Sequence, residues 1–385
     1  MIPRDIAPKV LQYSRQYPVV TITGPRQSGK TTLCRMLFPD KAYVSLENIE
    51  ERRFAETDPN GFLARFPAGA VLDEIQRAPD LLSFIQGIVD ERQTPGMFVV
   101  TGSHNFALLA SVSQSLAGRT ALATLLPFSL AEIRKVRGLS LLDDVLLTGG
   151  FPRIYDQELP PGEAMAFYVA TYVERDLRML VNIKELSRFE AFLKLAAGRT
   201  GQVVNLSSLG NDCGVNHNTI KNWLSILEAS YLVKLVPPYY RNFNKRLIKA
   251  PKLYFLDTGL AAFLLGIQDT RQLGSHPLRG LLFESLVVAE MLKKRFNAGQ
   301  PDNLYFFRDS KGNEVDLVLD HGQEIDLIEV KGAQTVASDL FKGLRFLEGL
   351  SGRARRSCLV YGGSGHRVQE GVEVVGWQAL ADFEA

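Results

Sequence analysis

Between residues 24 and 31 the chain reads Gly24-Pro25-Arg26-Gln27-Ser28-Gly29-Lys30-Thr31, which matches the pattern GxxxxGK[ST]. A β-rich run, Val19–Ile22, precedes this stretch, and a helical pattern, Thr32–Leu37, follows it. Glycines let backbone N–H groups close around phosphate at the start of a helix, so this order of elements predicts a phosphate-binding loop. A glycine turn without a ligand is the alternative.

The last residues of the loop carry the groups that nucleotide chemistry needs. Lys30 is expected to neutralise the β and γ phosphates of ATP, and Thr31 to bind Mg²⁺ through its hydroxyl group. The dipole of the following helix favours the same anions. We therefore predict ATP and Mg²⁺ as ligands. The predicted nucleotide-binding residues are Gly24, Pro25, Arg26, Gln27, Ser28, Gly29, Lys30, Thr31, Thr32 and Asp73.

Two carboxylates follow the apolar run Ala70–Leu72. Asp73 is expected to support the Mg²⁺ ion behind its direct ligands, and Glu74 to polarise the attacking water. A magnesium site beside an attacking water requires such a pair. A solvated acidic pair at the end of a strand is the alternative.

A later strand ends in the small polar stretch Gly102-Ser103-His104-Asn105. Ser103 or Asn105 is well placed to orient the attacking water, and we assign Ser103 to the predicted catalytic residues. We interpret His104 as an exposed loop histidine rather than as a catalytic base.

Four motifs together resemble one known family. They are GPRQSGKTT at 24–32, LDEIQRAP at 72–79, VVTGSHN at 99–105 and SLAGR at 115–119. This combination resembles the bacterial and archaeal AAA+-like ATPases in which an ATPase domain precedes a C-terminal domain of uncharacterised function, DUF4143. The resemblance covers essentially the whole chain. Ser28 and His104-Asn105 depart from the usual pattern of the family without changing the phosphate chemistry.

The resemblance implies a role for an arginine. In AAA+ proteins an arginine from a neighbouring subunit completes the active site, and Arg119 in SLAGR lies near the expected place. Such a residue implies a homo-oligomer, whereas an ordinary surface arginine does not. Arg153 could instead sense the nucleotide from a helical region.

A helix-turn-helix pattern follows further along the chain. Apolar residues recur at helical spacing over positions 220–227, and polar residues fill the other face. Three helices and two strands then suggest a winged helix, a fold that can read DNA. A packing or protein-interaction module is the alternative. The candidate DNA contacts are Asn216, His217, Asn218, Thr219, Lys221 and Asn222 on the helix, and Arg241, Lys245, Arg246, Lys249 and Lys252 on the wing.

Carboxylates and a lysine recur on a predicted hairpin near the end of the chain. Glu329 and Lys331 share one face of a strand, and the hairpin can bring Asp316 beside them. This grouping resembles the PD-(D/E)xK nuclease core, in which Glu284 would be the additional acid and Gln334 a weaker candidate. Such oxygen ligands can bind Mg²⁺ beside a phosphodiester. Charged residues that protect an edge hairpin from pairing are the alternative.

The composition fits a globular protein with several domains. The 385 residues include 46% hydrophobic and 22% charged residues, and the net charge is only +2, which excludes nucleic-acid binding by bulk charge. The three cysteines lack the spacing of a zinc site or disulfide framework. Without a signal-peptide pattern or an apolar stretch of membrane-spanning length, we predict a cytoplasmic protein that does not bind membranes.

These patterns predict an α/β protein: a P-loop NTPase parallel sheet, a helical connector, a winged helix-turn-helix and a small α/β nuclease-like domain. The predicted segments are 1–128, 129–186, 187–262 and 263–385. The leading hypothesis is a Mg²⁺-dependent ATP hydrolase that acts as a nucleotide-driven switch on its DNA-binding, nuclease-like half. The alternative is a regulatory or signalling ATPase whose C-terminal half is a catalytically inactive scaffold that binds protein or DNA.

Overall fold

The computed structural model describes residues 2–103, 112, 115–173, 186–239 and 248–384. The chain divides into two compact units. The first contains the chain up to Phe128, together with Ala229–Tyr231 and Arg295–Gln300. The second contains Ser129–Glu228, Leu232–Lys294 and the chain from Pro301 onward. The finer division into four segments stays a prediction.

The first unit is built on a parallel sheet of five strands in the order β2-β3-β4-β1-β5. All residues of β1, β3 and β4 are buried, which explains why they occur as continuous apolar runs. The fifth strand begins at Thr120, which pairs with Val19. The strands are β1 (Val19–Thr23), β2 (Ala42–Ser45), β3 (Ala70–Asp73), β4 (Phe98–Gly102) and β5 (Thr120–Thr124).

Helices surround this sheet. Asn48 and Asp58 cap the third and fourth helices by accepting hydrogen bonds from backbone N–H groups, which satisfies donors that have no partner within the helix. A 3-10 turn, Ile75–Arg77, follows β3. The helices are α1 (Ala7–Gln16), α2 (Lys30–Leu37), α3 (Ile49–Thr57), α4 (Pro59–Ala64) and α5 (Leu81–Arg92).

The second unit begins with helices, as predicted. Ser129 and Glu132 form a reciprocal capping box at the start of the first of them. The helices are α6 (Leu130–Arg137), α7 (Leu142–Thr148), α8 (Pro152–Asp156) and α9 (Pro161–Tyr168), and a π-helical turn, Val169–Val173, continues the last one.

The next elements have the order helix, strand, helix, helix, strand, strand, which is typical of a winged helix. They are α10 (Leu186–Ala197), β6 (Gln202–Val203), α11 (Leu206–Cys213), α12 (His217–Ala229), β7 (Val233–Val236) and β8 (Lys252–Phe255). The strands form an antiparallel sheet in the order β6-β8-β7. The predicted inner face of α12 is confirmed, since Ile220, Trp223, Leu224 and Leu227 are all buried.

The C-terminal part contains a mixed sheet in the order β13-β14-β12-β11-β10-β9. The predicted hairpin is present, and Val318 pairs with Leu327. The elements are α13 (Thr258–Leu264), α14 (Thr270–Ser275), α15 (Arg279–Asn297), β9 (Leu304–Arg308), β10 (Glu314–Asp320), β11 (Ile325–Lys331), a 3-10 turn (Ser338–Phe341), α16 (Lys342–Ser351), β12 (Ala354–Tyr361), β13 (His366–Gln369), β14 (Val372–Gly376) and a 3-10 turn (Trp377–Asp382). The predicted α/β fold class is confirmed.

No helix among the described residues combines the length and apolar character needed to cross a bilayer.

Candidate functional site

The glycine-rich loop lies close to the end of β5. At Gly24 the φ angle is 147°, and a Cβ atom would be only 2.1 Å from the carbonyl oxygen of Leu125. Gly29, with a φ angle of 93°, leads directly into α2. Two glycines are therefore required here, one by close contact and one by a left-handed backbone.

Lys30 is folded into this loop. Its Nζ donates hydrogen bonds of 2.9 Å to the carbonyl oxygens of Gly24 and Pro25. The side chain is buried, and burial lowers the pKa of Lys30 to about 8, although the negative charges of Glu74 and Asp73 act in the opposite direction. A phosphate ligand would replace the two carbonyl groups as the partner of this ammonium.

Asp73 is held by three hydroxyl groups. Thr31 Oγ1 donates to Asp73 Oδ2 at 2.8 Å, and Tyr43 OH donates to the same oxygen at 2.5 Å. Thr101 donates to Oδ1. Burial and the bond to Asp73 raise the pKa of Tyr43 to about 12, so its hydroxyl stays protonated near neutral pH. The contact between Thr31 and Asp73 places two oxygen donors together, a donor set that fits Mg²⁺.

Glu74 is also positioned by neighbours. Its backbone is left-handed, with a φ angle of 60°, and its N–H donates to Thr101 Oγ1 at 3.2 Å. Ser103 Oγ donates to Glu74 Oε1 at 2.7 Å, and Gln76 Nε2 donates to Oε2 at 2.5 Å. The carboxylates of Asp73 and Glu74 thus have different partners, although Thr101 contacts both the Asp73 carboxylate and the Glu74 N–H.

Arg4 braces the loop and was not predicted. Its two terminal nitrogens donate, at 2.6 Å each, to the carbonyl oxygens of Ser28 and Leu126. The guanidinium group also lies over the ring of Phe128, 4.9 Å from the ring centre. Arg4 and Tyr43 both lie outside the quoted sequence motifs. Nothing in the sequence therefore indicated that either residue contacts the site. Thr101 and Gln76 lie inside two of the quoted motifs and could have been selected.

The two arginines predicted to act on the nucleotide, Arg119 and Arg153, contact side chains outside the phosphate loop. Arg119 precedes β5, and Thr120 pairs with Val19, so Arg119 lies at the end of the sheet opposite the phosphate loop of its own chain. Its guanidinium group forms an ion pair with Asp90, with distances of 2.5 and 2.9 Å. A role in a neighbouring subunit stays a prediction. Arg153 lies in the second unit and donates to Gln157 Oε1 at 3.1 Å.

The remaining residues at the loop differ in their exposure. Arg26 lies 3.9 Å from Glu47, and Thr32 points toward solvent. Ser28 Oγ is buried without a hydrogen-bond partner among the described residues. His104 and Asn105 lie outside the described residues.

The exposed face of α12 has the predicted polar side chains. His217, Asn218 and Lys221 are exposed, as DNA contact requires. Asn216 Oδ1 instead accepts a hydrogen bond of 2.9 Å from the Thr219 N–H and so caps the helix. Among the predicted wing residues, Arg241, Lys245 and Arg246 lie outside the described residues, and Lys249 is exposed.

Lys252 corrects the prediction for the wing. Its side chain is only 3% exposed, so it cannot contact a DNA phosphate along a wing. The ammonium group lies among carboxylates, 2.7 Å from Glu314 Oε1, 3.0 Å from Glu284 Oε1 and 3.4 Å from Asp316 Oδ1. These four residues, with Glu329 and Lys331, form what we call the acid–lysine cluster.

The rest of this cluster brings the predicted nuclease-like residues together. Lys331 Nζ lies 2.6 Å from Glu329 Oε1 and 3.6 Å from Asp316 Oδ2. The N–H of Val330 donates to Asp316 Oδ2 at 3.0 Å. Gln334 is exposed. The predicted grouping of Asp316, Glu329 and Lys331 is therefore present, but two ammonium groups lie within it.

The cluster contains two carboxyl groups with raised pKa values. Burial, together with the charge of Asp316, raises the pKa of Glu284 to about 7 and that of Glu329 to about 8. Burial alone would lower the pKa of Lys252 and Lys331, but the surrounding acids raise both. The lysines therefore stay charged at neutral pH and act as the cations of the cluster.

The donor set of this cluster does not fit a divalent metal ion as it stands. Oxygens of Glu284, Glu314 and Asp316 already accept an ammonium group. In the part of the chain that the structure describes, no three His, Cys, Asp or Glu side chains are arranged to hold a metal ion. Lys252 and Glu314 were missed as members, although Glu314 and Asp316 lie two positions apart on one strand and so share a face.

Family comparisons divide the chain into three matched regions. An AAA domain model matches residues 16–134. A domain of unknown function, DUF8612, matches residues 139–271, and a second, DUF4143, matches residues 279–380.

Relatives are found in two mycobacteria. Uncharacterized proteins of Mycobacterium tuberculosis and Mycobacterium bovis are each 31% identical over 338 residues, which cover 86% of this chain and 74% of theirs. Among solved structures, a Walker-type ATPase of Pyrococcus abyssi is 14% identical, with a TM-score of 0.43, over 69% of this chain and 96% of that one. The RuvB Holliday junction branch migration motor of Thermotoga maritima is 16% identical, with a TM-score of 0.32, over 61% and 90%.

Proposed function

Because the chain belongs to the family in which an AAA domain precedes a DUF4143 domain, we propose that it is a Mg²⁺-dependent ATPase whose nucleotide state switches a DNA-binding C-terminal half. One observation carries the ATPase part. Asp73 contacts Thr31 at the phosphate loop, whereas a hydrogen bond from Ser103 holds the adjacent Glu74. The residues proposed to bind Mg²⁺ are therefore distinct from the proposed general base. The two functions are supported by different groups of residues and need different tests.

The residues at and beside the phosphate loop have different roles in hydrolysis. Lys30 exchanges its contacts with the two loop carbonyls for contacts with the β and γ phosphates of ATP. Thr31, supported by Asp73, would hold Mg²⁺, which would supply positive charge to the phosphate oxygens. Glu74 accepts the proton of the attacking water, and Ser103 keeps the carboxylate of Glu74 in place.

Hydrolysis of ATP by the purified chain tests this division. We expect Lys30→Ala to abolish turnover, and Glu74→Gln to keep ATP binding while lowering kcat by about 100-fold or more, in the range general base catalysis contributes. Glu91→Gln is the matched control, since Glu91 is an exposed glutamate of α5. Normal turnover in either test variant would remove that residue from its role.

The DNA-binding part is supported by the exposed face of α12. His217, Asn218 and Lys221 offer hydrogen-bond donors and one positive charge at the start of the helix, where a recognition helix meets base edges. Because the net charge of the chain is only +2, we expect any contact with DNA to depend on this local surface and not on the overall charge. Lys245 and Arg246 remain predicted phosphate contacts.

Binding of labelled duplex DNA at several salt concentrations tests the contact. We expect affinity to fall with salt, and Lys221→Ala to reduce the slope of log affinity against log salt by about 1, because the substitution removes one positive charge that displaces a counterion from the DNA. Lys194→Ala, an exposed lysine of α10, is the control. An unchanged slope in Lys221→Ala would place the DNA contact elsewhere.

A second candidate is a regulatory ATPase whose C-terminal half is an inactive scaffold. The burial of Lys252 among three carboxylates favours it over a nuclease. Nicking of plasmid DNA with Mg²⁺ or Mn²⁺ separates the two: a nuclease loses activity in Asp316→Ala and Lys331→Ala, whereas a scaffold shows the same background in all three proteins.

A further inference from the structure

We propose that the ammonium group of Lys252 takes the place of a divalent cation in the acid–lysine cluster, so that this cluster binds neither Mg²⁺ nor Mn²⁺ in the native protein. The cluster has the acids of a metal-dependent nuclease but carries its own cation. The proposal concerns a site separate from the phosphate loop.

The contacts of Lys252 carry the argument. Its Nζ lies within 3.4 Å of oxygens from Glu284, Glu314 and Asp316, which belong to α15 and β10. A buried ammonium group is stable only when paired charges replace its water, and three carboxylates do so here. A Mg²⁺ ion would have to lie about 2.1 Å from the same oxygens, where the ammonium group would repel it.

The backbone around Lys252 keeps the ammonium group in place. Lys252 is in the central strand of its sheet, where it pairs with Val203 on one side and Val236 on the other. Tyr254, two positions further along the same strand, donates a hydrogen bond of 2.5 Å to Glu284 Oε1. The side chain thus starts from a fixed strand, and Glu284 Oε1 already accepts two donors.

The second carboxylate oxygen of Asp316, which does not face Lys252, also has partners. Asp316 Oδ2 accepts the N–H of Val330 at 3.0 Å and lies 3.6 Å from Lys331 Nζ. Both oxygens of Asp316, the central predicted ligand, therefore already have partners. A divalent ion could enter only if Lys252 moved away from all three acids.

Mn²⁺ binding to the full-length protein tests the proposal, with titration calorimetry and electron paramagnetic resonance as readouts. The parent protein carries Thr31→Ala, and nucleotide is omitted, so that the ATPase site does not contribute. We expect no Mn²⁺ site in the parent. Lys252→Met, which keeps the apolar stem, should gain one Mn²⁺ site per chain, and adding Asp316→Asn should remove it.

Two results would overturn the proposal. One is a Mn²⁺ site in the parent protein that disappears with Asp316→Asn alone, a comparison that needs no change at Lys252. The other is a folded Lys252→Met variant that gains no site. If Lys252→Met does not fold, the parent and Asp316→Asn proteins decide the question: equal absence of binding supports the proposal.

Discussion

Asp73 owes its orientation to hydroxyl groups from three parts of the chain. Thr31 comes from the start of α2, Tyr43 from β2 and Thr101 from β4. The role of Asp73 could be predicted because it ends a buried strand beside a phosphate loop. Tyr43 could not be, since only the order of the strands in the sheet brings β2 next to β3.

Replacing Tyr43 tests how much this positioning matters. Tyr43→Phe removes one hydroxyl donor from Asp73 and leaves the ring, which lies 4.2 Å from the Arg35 guanidinium, in place. We expect the Mg²⁺ requirement for ATP hydrolysis to rise by about 10-fold, as for other groups that orient metal ligands. The measurement is kcat against Mg²⁺ concentration. Tyr17→Phe is the control, because the Tyr17 side chain is exposed; equal Mg²⁺ curves would contradict the role.

The lowered pKa of Lys30 predicts that ATP binding depends on pH. Its pKa is lowered to about 8 by burial, so the ammonium form dominates at pH 7 and is lost as the pH rises through about 8. ATP binds the charged form, and above pH 8 binding must be accompanied by proton uptake. We expect the Kd for ATP to increase up to about 10-fold between pH 7 and pH 9, as one unit of pH above the pKa implies.

Calorimetry in buffers of different ionisation enthalpy measures that proton uptake directly. Lys30→Arg keeps its charge throughout this pH range and should bind ATP without the pH dependence, at whatever affinity it has. A Kd that is constant for the unchanged protein from pH 7 to pH 9 is incompatible with the assignment.

At the scale of elements, the phosphate loop depends on its contact with the end of β5. A Cβ atom at Gly24 would lie 2.1 Å from the carbonyl oxygen of Leu125, and the φ angle of 147° is strained for any other residue. We expect Gly24→Ala to abolish ATP binding and to lower the free energy of unfolding by about 1–3 kcal/mol. Denaturant unfolding and nucleotide titration measure the two effects.

Gly87 provides the matched control for this substitution. It lies inside α5, and a Cβ atom there would meet nothing within 4 Å. Gly87→Ala should therefore raise the free energy of unfolding by about 0.5–1 kcal/mol, as alanine does in helices. If Gly24→Ala behaves like Gly87→Ala, the loop is not held as the structure describes.

The helices and strands that could be predicted are those whose buried residues form a recognisable pattern of apolar residues in the sequence. Strands covered on both faces read as apolar runs, and α12 repeats its buried residues at helical spacing. The strand β13, His366–Gln369, is largely exposed and contains one apolar residue, Val368, so it leaves no such pattern. The charge of Lys252 by itself predicts a surface position on the wing, and only the fold shows the three acids around it.

At the scale of the whole molecule, the chain returns to the first unit after α12. The segment Ala229–Tyr231 belongs to that unit, and Tyr231 has a left-handed backbone with a φ angle of 57°. The hydroxyl groups of Tyr231 and Thr23 share a hydrogen bond of 2.8 Å. Thr23 is the last residue of β1, directly before the phosphate loop, so the chain leaving α12 contacts the strand that carries the loop.

A switch that uses this connection predicts that DNA affinity depends on the bound nucleotide. Coupling of 1–3 kcal/mol corresponds to a change of about 5- to 150-fold between a non-hydrolysable ATP analogue and ADP. Tyr231→Phe removes the hydroxyl at the connection and should bring that ratio toward 1 while leaving ATP affinity nearly unchanged; Tyr17→Phe should not alter it. If the unchanged protein binds DNA equally with both nucleotides, there is no switch. If Tyr231→Phe keeps the full ratio of the unchanged protein, the coupling runs through other residues, because nucleotide binding then reaches the C-terminal half without this hydrogen bond.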